Sequence, residues 1–170
     1  AVGQAERSQE ITAVQQNLTY VHIFDYVSPE DHADVMRNYR LLKTTFATSL
    51  KQDFLLGVMP VTVIDKTLFA VAKEYTGIRN LLKKEKTSLC FALHERNRWG
   101  KMFAFWCKKL NISFISMQEG LTYGKDFMFT GHAQYSTLNL VWGERDKKKL
   151  VGFEGPEAKI IPAGNTHLAR

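Results

Sequence analysis

Two short apolar runs separated by one amphipathic segment constrain this chain more than any other feature. They are Leu89-Cys90-Phe91-Ala92-Leu93 and Ile112-Ser113-Phe114-Ile115-Ser116-Met117. Each is too short for a globular helix, and each stops abruptly in polar residues, His94-Glu95-Arg96-Asn97 and Gln118-Glu119-Gly120. Between them, Trp99–Leu110 carries apolar residues at helical spacing. Strand, helix and strand within about 30 residues read as a βαβ unit. In open α/β sheets the ligand crevice lies outside the carboxyl ends of the parallel strands. Here those ends bring two carboxylates (Glu95 and Glu119), His94, Arg96, Arg98 and Gly120.

The flanking sequence extends the pattern in both directions. Residues 1–17 are polar and read as a loosely ordered or helical lead-in. Thr19–Phe24 is β-branched and aromatic and predicts a strand. Ser28-Pro29-Glu30-Asp31 predicts a helix start, with Ser28 as cap, Pro29 in the first turn and acids at the positive end of the dipole. That helix is expected to reach Leu50. Asp53–Ile64 suits either a strand at Val61–Ile64 or a buried helix, and is read as helix. Lys66–Lys86 predicts a further helix, with Leu68, Val71, Ala72, Tyr75, Ile78, Leu81 and Leu82 on one stripe. After the βαβ unit come a glycine- and aromatic-containing loop (Leu121–Gly131), a strand (Ser136–Trp142), a helix (Lys147–Phe153) and a last strand (Lys159–Ala163). Alternation of this kind predicts an α/β fold over residues 1–170: a Rossmann-like, mostly parallel sheet with helices on both faces.

Composition narrows the partners. The chain of 170 residues has a net charge of +6 and should prefer anionic ones, whether phosphorylated substrates, lipid headgroups or nucleic acid. Cys90 and Cys107 both fall in apolar periodic stretches and read as small core residues of a protein in a reducing compartment. No apolar run approaches the roughly 18 residues that span a bilayer. Scattered histidines, with no His-x-x-x-His or Cys-x-x-Cys spacing, argue against a metal site. Gly-x-Gly-x-x-Gly and a phosphate-loop lysine are missing, which disfavours a dinucleotide enzyme or nucleotide hydrolase. No nucleic-acid-binding motif is present either, so nucleic acid is not an expected partner.

From Leu93 onward the order of motifs resembles a known family. His94-Glu95-Arg96-Asn97 is followed by Trp99-Gly100-Lys101, then Gln118-Glu119-Gly120, Val141-Trp142-Gly143-Glu144, and Lys159-Ile160-Ile161-Pro162-Ala163-Gly164-Asn165-Thr166. This resembles the N-terminal domain of GT-B glycosyltransferases and glycerophosphotransferases that build bacterial capsule, lipopolysaccharide and teichoic-acid polymers. Glu119 stands where that family usually has histidine, and Thr166 where it usually has proline. The resemblance implies that residues 1–170 are the acceptor-side half of a longer two-domain protein. It also implies a nucleotide-activated donor, a nucleotide-sugar or CDP-glycerol, on the second domain and no cofactor in this chain. The acceptor would be a sugar or lipid-linked glycan. The setting would be cytoplasmic, peripheral at the inner face of the plasma membrane.

Group transfer to a hydroxyl needs a base for the hydroxyl proton and cationic groups for phosphate. Glu119 is the first candidate base, because a carboxylate at a strand end beside Gly120 can be partly desolvated. Glu95 and His94 are the next catalytic candidates, although successive residues leaving a strand cannot both face a crevice. Arg96 and Arg98 suit bidentate contact with a phosphate or acidic sugar. Gln118, Gly120 and His132 complete the expected acceptor-binding set. Lys108-Lys109 and Lys147-Lys148-Lys149 read as solvated helix faces, with attraction to lipid headgroups as the sharper alternative. Two other functions fit the same sequence: half of a nucleotide-sugar epimerase, and a non-catalytic basic module binding an anionic polymer.

Overall fold

The computed structural model describes residues 19–50, 60–93, 95, 97–118, 135–151 and 159–164. The chain divides into two compact units, Ala1–Leu81 and Leu82–Arg170. The fold is α/β and Rossmann-like, and every described strand lies in the second unit.

The first unit is built on two helices, α1 (His32–Leu50) and α2 (Val61–Lys84). A 3-10 turn at Pro29–Asp31 leads into α1. Asp31 does the capping, its carboxylate accepting from the Ser28 backbone N–H at 2.9 Å and the Ser28 hydroxyl at 3.0 Å. The helices run antiparallel, because the residues that pair across them step in opposite directions. Arg79 donates to Asp34 at 2.7 Å, Asn38 to Thr76 at 3.3 Å, and Tyr39 to Asp65 at 3.0 Å. α2 begins directly after Pro60, whose carbonyl accepts from Val63 and Ile64. The expected helix at Lys66–Lys86 therefore starts a turn and a half earlier, and residues 53–59 of the Asp53–Ile64 reading lie outside the described residues.

The strand expected at Thr19–Phe24 does not form. Residues 19–22 have no regular structure and Ile23–Tyr26 is a 3-10 turn. β-branched and aromatic content favours any pleated, half-buried surface, and context decides what that surface packs on. Here the segment lies on α2. A Cβ built on Gly77 would sit 2.7 Å from the Ile23 carbonyl oxygen, and Asn80 Nδ2 donates to the Tyr26 carbonyl at 2.9 Å. The glycine admits the turn, and the turn uses backbone groups a strand would have offered to a neighbour.

Acid should loosen this unit. The Asn80 side chain and the Ser28 backbone hold the Asp31 carboxyl below the ordinary aspartate range, and the Arg79 guanidinium does the same for Asp34. A carboxyl whose folded-state pKa is depressed contributes stability that is complete above the unfolded value, about 4, and lost as pH falls through the folded one. The midpoint of helix unfolding, followed by circular dichroism, should hold from neutrality to about pH 5 and fall below about pH 4. Arg79→Met should cost about 1–2 kcal/mol at neutral pH and flatten that acid limb, the partial exposure of the group keeping the loss modest.

The second unit is a four-stranded, all-parallel sheet in the order β1 (Leu89–Ala92), β2 (Ser113–Met117), β3 (Leu138–Val141) and β4 (Ile160–Pro162). Helix α3 (Arg98–Lys109) connects β1 to β2, and α4 (Glu144–Val151) lies between β3 and β4. α2 and α3 stop at left-handed residues, Lys86 (φ 48°) and Asn111 (φ 58°). In each case the next N–H reaches back across the last turn, Thr87 to Leu82 and Ile112 to Cys107, at 3.2 and 2.8 Å. The helix expected at Lys147–Phe153 already begins at Glu144, where the Gly143 carbonyl accepts from Asp146 and Lys147.

Register fixes the faces. Cys90 pairs with Phe114, Ser116 with Asn139, and Asn139 with Ile160, so these residues and Val141 share one side. Cys107 of α3 meets Cys90 there, and Val151 of α4 packs on Val141 and Ile160. Strands in sequential order joined by right-handed crossovers place successive helices on the same side, as these are. On the opposite side Leu89 and Phe91 are each 53% exposed and Ile161 46%, while Ile115, Met117, Leu138 and Leu140 are half-buried. Among the described residues, no helix is long and apolar enough to cross a membrane.

Candidate site at the carboxyl ends of the strands

Polar side chains within and just past the strands tie the sheet together. Glu95, just past β1, has 0% exposure. Its Oε1 accepts from the Tyr135 N–H at 2.8 Å, and its Oε2 from the Ser136 N–H at 2.9 Å and from the Ser136 hydroxyl. The Ser116 hydroxyl donates to Asn139 Oδ1, and the Ser136 oxygen lies 3.2 Å from that of Ser116. A carboxylate thus begins a buried polar row running from the end of β1 across β2 to β3. Asn139 Nδ2 is buried in this row with no hydrogen-bond partner among the described residues.

A second tie joins β2 to β3. The Gln118 N–H donates to the Leu140 carbonyl at 2.8 Å, continuing the ladder one residue past β2. Gln118 Oε1 accepts from the Trp142 N–H at 2.9 Å, and the Gln118 carbonyl accepts from the Trp142 indole at 3.0 Å. The side chain of Gln118 is therefore engaged with the neighbouring strand end.

Asn97 caps α3, its Oδ1 accepting from the Gly100 N–H at 2.6 Å. Between this helix start and β1 opens a hollow of about 380 Å³, walled by Cys90, Leu93, Asn97, Trp99 and Phe103 among others. The Arg98 guanidinium is exposed and stands 5.6 Å from the centre of the Trp99 ring. Lys108 lies over the Tyr135 ring at 5.4 Å and Lys109 over Phe105 at 5.7 Å, so these exposed cations also rest on aromatic faces.

The expected site residues fall into two groups. Glu95, Gln118 and Arg98 occupy the carboxyl edge as described. His94, Arg96, Glu119, Gly120 and His132 lie outside the described residues. Glu95 and Gln118, expected to face substrate, are both buried, and their side-chain oxygens accept from backbone N–H groups of neighbouring segments. Ser116, Ser136 and Asn139 look like ordinary strand residues in the sequence. The signal at two of them is a lone polar residue between apolar neighbours, Ser116 between Ile115 and Met117 and Asn139 between Leu138 and Leu140. No group of three or more His, Cys, Asp or Glu residues that could hold a metal ion occurs among the described residues. What the edge offers chemically is a hydrogen-bonded rim beside an aromatic hollow, with the Arg98 guanidinium next to it. No family model matches the chain, and no curated protein or solved structure does either.

Proposed function

We propose that this chain is the acceptor-side domain of a GT-B-like transferase that moves glycosyl or glycerophosphate groups onto a hydroxyl during bacterial cell-surface polysaccharide synthesis. The observation that carries the reading is the Gln118–Trp142 tie between two parallel neighbours, β2 and β3. It lies just past the carboxyl ends of these strands, the edge where α/β sheets bind ligands, and Glu119 is the next residue in sequence. In this reading the acceptor hydroxyl attacks the anomeric carbon of a nucleotide-sugar, or the glycerol-bearing phosphorus of CDP-glycerol. Glu119 takes the hydroxyl proton, and the nucleotide leaves with the electron pair of the broken bond. Arg96, Arg98 and His132 contact the acceptor, and the donor sits on a second domain. Glu95 and Gln118 are positioning residues. The net charge of +6 favours a phosphate-bearing or lipid-linked acceptor at the inner face of the membrane.

The test uses the protein that carries this chain, labelled CDP-glycerol or nucleotide-sugars, and isolated membranes as acceptor. Label should enter polymer, and Glu119→Gln should cut incorporation by about 100-fold or more at an unchanged unfolding midpoint. Undiminished transfer by Glu119→Gln removes that base. Absence of transfer combined with steeply salt-dependent binding to random oligonucleotides favours the basic binding module instead.

A further inference from the structure

We propose that Cys90 and Cys107 are a reactive thiol pair, which low-molecular-weight disulfides of the oxidised-glutathione class convert to an intramolecular disulfide joining β1 to α3. The sequence predicts two small core residues, and the structure gives them distinct surroundings. Both are free, and their side chains meet across the packed contact between β1 and α3. Cys107 is fully buried at 0% exposure, whereas Cys90 is half-buried and forms part of the wall of the 380 Å³ hollow. A small disulfide therefore has a way to one sulfur, and the other waits directly behind it. The hydrogen bond from Cys107 favours the Cys90 thiolate and holds its thiol below the ordinary range, while the same bond, with burial, pushes Cys107 up.

The roles follow from that asymmetry. The Cys90 thiolate attacks one sulfur of the small disulfide, whose S–S bond breaks and releases one thiolate. The Cys107 sulfur then attacks Cys90 in the mixed disulfide, and its proton goes to the second departing thiolate. Two protein thiols lose two electrons, and one small disulfide becomes two thiols. Burial of Cys107 leaves it with no other partner to attack, so the mixed disulfide resolves internally. The cross-link ties the edge strand to the helix whose first turn, with Asn97 and Trp99, walls the same hollow. This inference is independent of the transferase reading.

The test is oxidised glutathione added to the full chain in native buffer, followed by acid quench and intact-mass measurement with non-reducing peptide mapping. The expected product has lost two hydrogens, carries no glutathione, yields a linked Cys90–Cys107 peptide and reverts with dithiothreitol. Cys107→Ala should stop at one glutathione on Cys90. Its Cys90 should also react with iodoacetamide about five-fold more slowly at neutral pH, since the hydrogen bond is gone. Cys90→Ala should leave Cys107 unmodified. A glutathione adduct that persists on Cys90 of the unsubstituted chain overturns the proposal. So does failure of either cysteine to react in native buffer when both react in urea. The result on the unsubstituted chain decides the matter even where a variant folds poorly.

Discussion

Glu95→Ala should lower the unfolding free energy by about 4 kcal/mol, the largest effect expected from a single side chain at the carboxyl edge. The substitution strands three donors at once: the Tyr135 and Ser136 backbone N–H groups and the Ser136 hydroxyl. Each buried donor left without an acceptor costs about 1–3 kcal/mol, and water entering the space vacated by the side chain returns part of that. Glu95→Gln keeps the volume but turns one oxygen into an NH2 facing an N–H, so about 2–3 kcal/mol should go. Urea unfolding followed by tryptophan fluorescence reads this unit directly, because Trp99, Trp106 and Trp142 all lie within Leu82–Arg170. A Glu95→Ala chain within about 1 kcal/mol of the parent would mean that Glu95 is not holding the 135–136 segment.

Gly77→Ala should destabilise the first unit by about 2 kcal/mol, although alanine is the better helix former by about 1 kcal/mol. The added methyl would meet the Ile23 carbonyl oxygen at 2.7 Å, Ile23 Cγ2 at 2.8 Å and Val27 Cγ2 at 3.2 Å. A side chain can rotate away from such a contact, but a carbonyl in a 3-10 turn cannot, and the Asn80–Tyr26 bond holds that turn to α2. Gly77→Val adds two further methyl groups in the same place and should cost about 3 kcal/mol or more. Gly143→Ala is the matched control, since nothing lies within 4 Å of its Cβ position. Far-UV circular dichroism against urea measures all three. Stabilisation by Gly77→Ala would show that helix propensity outweighs the close approach of the turn.

How far the sequence disclosed these features depends on the range of the interaction concerned. The strands were legible because buried parallel strands need short, continuously apolar runs, and Leu89–Leu93 and Ile112–Met117 are such runs. Ends of helices were legible to within about a turn and a half, their signals being local. The segment Thr19–Phe24 misled, because β propensity does not reveal whether a β-rich segment meets another strand or the glycine of a helix. Glu95 misled for a related reason. A carboxylate at a strand end looks the same in sequence whether its oxygens face solvent or accept from N–H groups forty positions later, at Tyr135 and Ser136. Gln118 is similar, its partner Trp142 lying on the next strand. The motif order that suggested a transferase includes these two ties, so part of what it records is how the strand ends are fastened.

Hydrogen exchange of the full chain, with and without a polyglycerol-phosphate or lipid-linked saccharide acceptor, tests the placement of the site most directly. Binding at the carboxyl edge predicts slower exchange at residues 93–99, 117–120 and 142–144, with the amino-terminal ends of β1 and β2, residues 87–89 and 112–113, unchanged. Slowing confined to those amino-terminal ends, or no slowing anywhere at saturating acceptor, would contradict it.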